Sequence, residues 1–190
     1  MTLTPQEILF LQNRVAYARD EQAYRKLFLH FYSSLFRFSN SIVKNESIAE
    51  ELVSDVMLRV WEMDNKLAHV NKLNVYLLIA IKNASLTHLS RKENKNINIE
   101  GISENDFDKG TLENPESRYI YTELQLKTEN AIMELPKQCQ MIYRLIREEG
   151  LSHKEVIAIL EISQNTIETQ MRIALKKIRH SLDIYLFQKK

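Results

Sequence analysis

The chain is poor in the residues that break helices, cross-link chains or line a membrane span. Its 190 residues include three glycines, three prolines and a single cysteine, Cys139. So few glycines and prolines exclude a many-turned β architecture and a glycine-rich phosphate loop. One cysteine excludes an internal disulfide framework, and no run of about 18 apolar residues or targeting segment is recognisable. We therefore expect a reduced, cytoplasmic protein without membrane insertion of its own.

The residues that are abundant predict an all-α fold. Hydrophobic residues make up 44% of the chain and charged residues 27%, a composition typical of globular proteins. The net charge is only +1, but Lys and Arg outnumber Asp and Glu by 13 to 10 in residues 1–95 and by 10 to 7 in residues 131–190. Residues 96–130 carry 3 basic and 8 acidic side chains. Two basic ends therefore flank an acidic middle, a pattern that leaves nucleic acid open as a partner.

Two helical domains are predicted on either side of that acidic middle. The sequence TPQE at 4–7 predicts a capped helix start, and SIAE at 47–50 predicts another. Apolar spacing indicates further helices over about 22–43 and 73–91, whereas MDNKLAHVNK at 63–72 loses periodicity and predicts a loop. Polar, glycine-containing sequence then predicts a flexible linker. We expect domains at 1–93 and 117–190, joined by the linker 94–116.

The second domain carries a series of helix start and stop signals. Pro136 predicts the first turn of a helix, and Gly150 predicts its left-handed end. SHKE at 152–155 predicts the cap of a short helix, and Ser163 the cap of the last helix. The last helix has an apolar stripe of six residues, Ile167, Met171, Ala174, Leu175, Ile178 and Leu182. Of these, Ile167, Met171, Ala174 and Ile178 should face the core.

A short helix, a three-residue turn and a longer helix are typical of a helix-turn-helix, whose second helix enters the major groove of DNA. Short amides, hydroxyls and a carboxylate on that helix can contact base edges, and basic groups further along can contact phosphates. A solvated helix surface explains the same polar face equally well. The residues predicted for base edges are Gln164, Asn165, Thr166, Glu168, Thr169 and Gln170, and those for phosphates are Arg172, Lys176, Lys177 and Arg179.

Three longer segments resemble one family, the extracytoplasmic-function (ECF) group of bacterial RNA polymerase sigma factors in the sigma-70 superfamily. ELPKQCQMIYRLIREEGLSHKEVIAILEISQNTIETQMRIALKKIRHSL at 134–182 resembles the family's region 4. IAEELVSDVMLRVWE at 48–62 resembles region 2.2, and VYLLIAIKNASLTHLSRK at 75–92 resembles regions 2.3–2.4. The resemblance implies a region 2 helical bundle and a region 4 helix-turn-helix.

The resemblance also implies a function. Such proteins bind core RNA polymerase and direct promoter recognition, DNA opening and transcription initiation, without enzymatic activity or a cofactor or metal. The implied partners are core polymerase, promoter DNA and an anti-sigma factor. By resemblance, region 4 binds the minus-thirty-five element through the polar helix face, with Ser163 at its start. Region 2 binds the minus-ten element through Lys66, Asn71, Lys72, Asn83, Arg91 and Lys92, and polymerase through Glu51, Leu52, Asp55 and Arg59.

Some positions depart from the family pattern, and other functions stay open. Ser54 stands where glutamine is more frequent, Ile157 where alanine is usual, and Glu161 where glycine is usual. Glu161 matters most, because a left-handed turn position suits glycine better than a residue with a β-carbon. The alternative function is a helix-turn-helix regulator that binds DNA without acting as a polymerase subunit. An enzyme is disfavoured, because the five histidines lie far apart and none belongs to a metal-ligand or nucleophile motif.

Overall fold

The computed structural model describes residues 3–95 and 121–188, and every regular element in these two ranges is helical. This agrees with the predicted all-α fold. Among the helices in these two ranges, none combines the length and the hydropathy that a membrane-spanning helix requires. The elements are α1 (Pro5–Ala18), α2 (Glu21–Val43), α3 (Glu46–Glu62), the 3-10 helix η1 (Asp64–His69), α4 (Leu73–Lys95), α5 (Tyr121–Met133), α6 (Lys137–Arg147), α7 (His153–Leu160) and α8 (Gln164–Gln188).

Local capping sets where the first helices begin. The Thr4 side chain accepts a hydrogen bond from the Glu7 amide, and the Glu7 carboxylate accepts from the Thr4 amide, so the predicted capping box is present. The predicted start of α3 at Ser47 is wrong. Asn45 caps this helix instead, since its side-chain oxygen accepts from the Ile48 amide at 3.0 Å. Asparagine is as good a cap as serine, and here it stands two residues earlier.

The segment between α3 and α4 is more regular than its sequence suggests. The loop predicted for 63–72 contains η1, whose buried Leu67 supplies the apolar anchor of the segment. A 3-10 turn of this length has too few apolar positions to produce a periodic signal, so the prediction of an irregular loop was wrong. At the other end of α4 the helix continues through Lys95, past the predicted linker start at 94. The rest of the predicted linker lies outside the described residues.

Close packing of α2 against α4 forms the centre of the first compact unit, which comprises the described residues up to Lys95 together with Lys154–Glu161. The hydroxyl groups of Ser39 on α2 and Ser85 on α4 lie 3.0 Å apart and are fully buried. Serine is small enough to let two helices approach closely. The single hydrogen bond between the two hydroxyl groups gives each of them a partner. The apolar side chains that α2, α3 and α4 bury in this unit include Leu27, Phe31, Leu35, Val53, Val56, Met57, Leu77 and Ile81.

The second unit holds its own core between α5, α6 and α8. The four α8 residues predicted for the core are buried, which confirms that prediction, whereas Leu175 of the apolar stripe is 44% exposed. The buried members recur at intervals of three or four residues, and Leu175 lies beside this stripe at its margin. The core cluster consists of Ala131, Ile132, Leu135, Cys139, Ala174 and Ile178.

Gly150 terminates the segment after α6 as the sequence predicts. Its φ of +66° lies in the left-handed region, and the following Leu151 amide donates to the Leu145 carbonyl oxygen at 3.1 Å. A β-carbon on Gly150 would meet no atom within 4 Å. Glycine therefore suits this position because it adopts a left-handed backbone conformation without steric cost. The space around it would also accommodate a larger residue.

Candidate nucleic-acid interface

The start of α8 is fixed by its own side chains. Ser163 accepts a hydrogen bond from the Thr166 amide at 3.1 Å, which confirms the predicted cap. The side-chain amide nitrogen of Gln164 donates to the Glu168 carboxylate at 2.8 Å, one turn further along. Gln164, Asn165 and Glu168 are exposed. The first two turns therefore present exposed amide and carboxylate groups, two of which are joined by a hydrogen bond. Groups of this kind can contact base edges.

The turn before α8 has a left-handed residue at the position singled out in the sequence. Glu161 has a φ of 57°, a conformation that carries a steric cost for a residue with a β-carbon. Its carboxylate accepts from Lys82 Nζ at 2.6 Å inside the first unit. That hydrogen bond, together with the positive charge of Lys82, lowers the pKa of Glu161. The turn conformation that glycine favours is thus kept with glutamate in its place.

Basic side chains continue along α8 and line a groove with a volume of 690 Å³. Arg172, Lys176 and Arg179 contribute three positive charges, while Glu168 and Asp183 contribute two negative charges. Three of the four predicted phosphate-contacting side chains therefore lie along one exposed surface, together with the exposed Leu175. Two histidines that the sequence did not connect, His153 and His180, line the same groove. Lys177 is exposed as well but does not line it.

Of the predicted base-contacting residues, three are less open than the others. Thr166, Thr169 and Gln170 are half-buried, whereas their neighbours on the outer face are exposed. The Gln170 main-chain carbonyl oxygen accepts a hydrogen bond from the Cys139 thiol on α6. The outer face of α8 is therefore formed mainly by the remaining predicted residues, and Gln170 lies towards the core side.

A second polar surface lies on η1 and α4 in the first unit. Lys66 in η1 and Asn71 and Lys72 just after it are exposed, as are Asn83 and Arg91 on α4. Lys72 Nζ also lies 2.5 Å from a Glu155 carboxylate oxygen within the same unit. Every predicted residue of this group whose side chain is described is therefore accessible to solvent. The side chain of Lys92 lies outside the described residues.

An exposed tyrosine adds to this surface. Tyr76 is 37% exposed and stands seven residues before Asn83, which places both on one face of α4. The sequence did not predict that Tyr76 belongs to this surface, because an aromatic side chain in an apolar helix is usually assigned to the core. Aromatic rings are the common stacking platform for bases of single-stranded nucleic acid.

A separate acidic face runs along α3. Glu51, Asp55 and Arg59 are exposed at four-residue intervals, and Leu52 is half-buried beside them. Leu58, which is not among the predicted polymerase-contacting residues, is 52% exposed on the same side. Its position seven residues after Glu51 could have been recognised from helical spacing. The face combines carboxylates with an exposed apolar side chain, which suits a protein partner better than a nucleic acid.

The C-terminal end of α3 is held by Trp61. Its ring meets the Tyr24 ring edge-to-face with 5.1 Å between centroids, and the Arg19 guanidinium lies 4.2 Å from the Trp61 ring centroid. Trp61 thus packs against α2, in agreement with its predicted structural role. In the ranges the structure describes, no three His, Cys, Asp or Glu side chains are arranged to hold a metal ion.

Comparison with known proteins identifies relatives of both halves. Sigma-70 region 2 matches residues 27–95, and sigma-70 region 4 matches residues 125–178. The ECF RNA polymerase sigma factor RpoE of Cereibacter sphaeroides is 26% identical over 175 residues, which cover 86% of this chain and 88% of that protein. Both halves of the chain and their order therefore agree with one type of protein.

Two solved structures share the fold. The sigma factor RpoE of Bartonella quintana, in complex with the anti-sigma factor NepR, is 17% identical with a TM-score of 0.53. The match covers 85% of this chain and 97% of that one. CnrH in complex with the cytosolic domain of CnrY is also 17% identical, with a TM-score of 0.51 and coverage of 94% and 98% of the two chains.

Proposed function

Because this chain belongs to the ECF group of sigma-70 factors, which bind core RNA polymerase and promoter DNA and direct transcription initiation, we propose specific residues for each of these contacts. The family consists of initiation factors that perform no catalysis, and we extend this to the present chain. The proposed domains are region 2 at 1–93 and region 4 at 117–190, joined by the linker 94–116. The observation that carries the assignment of contacts is the exposed, capped polar face at the start of α8.

The outer face of α8 contacts the minus-thirty-five element in the major groove. Ser163 caps the helix, and Gln164, Asn165 and Glu168 contact base edges from its first two turns. The exposed basic side chains beyond them contact phosphates, which fixes the register of the helix on the duplex. The less open Thr166 and Thr169 support these contacts from the side of the face. The phosphate-contacting residues are Arg172, Lys176, Lys177 and Arg179.

The surface of η1 and α4 contacts the minus-ten element as an opened single strand. Lys66, Asn71 and Asn83 offer hydrogen-bonding groups for Watson–Crick edges that duplex DNA hides. Tyr76 adds a ring on which a base can stack. The cationic Lys72, Arg91 and Lys92 contact the phosphates of this strand. Base discrimination at the minus-ten element therefore resides mainly in η1 and the residues just after it.

The acidic face of α3 docks on core polymerase. Glu51 and Asp55 supply carboxylates, Arg59 a compensating cation, and Leu52 with Leu58 an apolar centre. Mixed apolar and charged surfaces of this kind are common at the edge of protein interfaces. We also propose an anti-sigma factor as a regulatory partner, on the support of the Bartonella quintana complex. The chain acts in the cytoplasm, where polymerase and promoter DNA are found.

Run-off transcription with purified core polymerase and the full chain, on a library of promoter sequences, tests this assignment. We expect transcription from templates that share two sequence elements, and co-purification of the chain with core polymerase. Binding to duplex DNA without any association with polymerase would favour the helix-turn-helix regulator instead. Association with polymerase without promoter selectivity would contradict the proposed DNA contacts.

A further inference from the structure

Helix α1 lies ahead of the segment that matches sigma-70 region 2, which starts at residue 27. It nevertheless packs directly against η1. Gln12 on α1 is only 2% exposed, and its side-chain amide nitrogen donates to the Leu67 carbonyl oxygen at 2.7 Å and to the Val70 carbonyl oxygen at 2.8 Å. A single side chain thus holds two main-chain groups that are 55 and 58 residues away in the sequence.

These two carbonyl groups belong to the end of η1. The Leu67 carbonyl oxygen also accepts from the Val70 main-chain amide at 3.1 Å, whereas Val70 itself follows the last residue of η1. A buried carbonyl without a donor is costly, so the bond from Gln12 matters most for Val70. The glutamine side-chain amide carries two N–H donors, so it can serve both carbonyl oxygens at once. Leucine at position 12 would fill a similar volume but donate nothing. The conformation at the end of η1 therefore depends on the hydrogen bonds of the Gln12 side-chain amide as well as on the packing of that side chain.

The beginning of the same segment is held by Arg19, the residue that caps α1. Its guanidinium donates to the Trp61 carbonyl oxygen at 2.6 Å and to the Asp64 carboxylate, and it lies over the Trp61 ring. Arg19 has a φ of 51°, and Asp64 has a φ of 48°. Two anchors from α1 and its cap therefore fix η1 at both ends, while Lys66 between them stays exposed.

We propose that Gln12 and Arg19 are positioning residues that hold η1 and the adjoining Asn71 in the shape that discriminates bases of the minus-ten element. This inference rests on the proposed function of η1. Discrimination between bases requires donors and acceptors at fixed places, whereas attraction to phosphates requires only charge. Loss of an anchor leaves Lys66 and Lys72 present but lets the segment adopt several shapes. Selectivity for the minus-ten sequence should fall more than the overall affinity for DNA.

The test uses the full chain with core polymerase and compares Gln12→Leu with Gln6→Leu, a change of the same kind at an exposed position on the same helix. The measured quantity is the ratio of open-complex formation on the preferred minus-ten sequence to that on single-base variants. We expect Gln12→Leu to reduce this ratio roughly five-fold, an effect of the size of one lost base contact. Selectivity at the minus-thirty-five element and binding to core polymerase should not change, and Gln6→Leu should behave as wild type.

Arg19→Gln provides a second variant, because the Arg19 side chain is 45% exposed and its replacement leaves no cavity in the core. We expect it to reduce the same ratio and to increase hydrogen exchange at the amides of residues 64–70. The proposal is overturned if the folded variants keep wild-type selectivity, or if all templates lose activity in equal proportion. Failure of the underlying function is distinguishable, because Asn71→Ala and Lys66→Ala would then leave minus-ten selectivity unchanged in the otherwise wild-type chain.

Discussion

The Cys139 thiol on α6 donates a hydrogen bond to the main-chain carbonyl oxygen of Gln170 on α8, with 3.2 Å between the two atoms. Cys139 is fully buried and packs in the core that α5, α6 and α8 share. This contact lies two residues before Arg172, where the predicted DNA-contacting surface passes from amides to basic groups. The position of α8 on its supporting helices is therefore set directly behind the surface proposed to contact DNA.

The buried thiol should be unreactive in the folded protein. Burial raises the pKa of Cys139, so little of the reactive thiolate forms near neutral pH. We expect slow alkylation by iodoacetamide under native conditions and fast alkylation in denaturant. Cys139→Ala should lower the free energy of unfolding by about 1–2 kcal/mol through lost packing, whereas the exposed Gln138→Ala should change it little. Fast native alkylation would contradict the burial of this side chain.

Asp20 should make the stability of the first unit dependent on acid. Its carboxylate accepts from the Ala23 amide and pairs with Arg14, and these interactions lower its pKa. A lowered pKa means that the stabilisation is fully present above the unfolded value of about 4 and is lost as the pH falls through the folded value. Asp20→Asn keeps a capping oxygen without the charge. Urea unfolding should show the variant to be less stable at pH 7, with the difference disappearing below about pH 4. A constant difference across this range would refute the assignment.

The backbone at Glu161 offers a matched pair of substitutions. Glu161→Gly and Glu161→Ala both remove the carboxylate that pairs with Lys82, but only glycine removes the steric cost of the left-handed conformation. We expect the glycine variant to have the higher thermal midpoint of the two in differential scanning calorimetry. An alanine variant of equal or greater stability would show that the left-handed conformation carries no cost at this turn.

Two residues on the outer face of α8 test minus-thirty-five recognition. Gln164→Ala combined with Arg172→Ala removes one proposed base contact and one phosphate contact, and each good base contact contributes about 1–3 kcal/mol. Transcription that depends on the minus-thirty-five element should fall by about ten-fold or more, while binding to core polymerase stays intact. Gln138→Ala with Arg147→Ala changes the same residue types on exposed positions of α6 and is the control. Unchanged use of the promoter would refute the recognition surface.

Charge reversal on α3 tests the polymerase contact. Glu51→Lys with Asp55→Lys should weaken binding to core polymerase, because the acidic face then repels the surface it is proposed to meet. Glu21→Lys with Glu134→Lys produces the same total charge at exposed positions away from α3 and should bind as wild type. The affinities are measured by surface plasmon resonance with immobilised core polymerase. Equal affinity of both variants would argue against the docking face.

Capping residues and helical spacing along the chain predicted most helices and two of the helix starts. Thr4 and Ser163 cap helices as expected, because a capping side chain needs only an amide two or three residues away. The α3 start was misassigned because Asn45 and Ser47 are both good caps and the sequence does not rank them. Leu175 belongs to the apolar stripe of α8 and is nevertheless exposed, because helical spacing defines a stripe but not its width.

The helical class, the helix-turn-helix, the left-handed residue at Gly150 and the polar face of α8 could be predicted from the amino-acid sequence, since each depends on residues a few positions apart. The contacts that support these surfaces could not be predicted, because they join distant parts of the chain. Gln12 meets Leu67 across 55 residues, and Cys139 meets Gln170 across 31. Such contacts form when separate helices pack together, and no periodicity or capping signal encodes which distant carbonyl oxygen a buried donor will find.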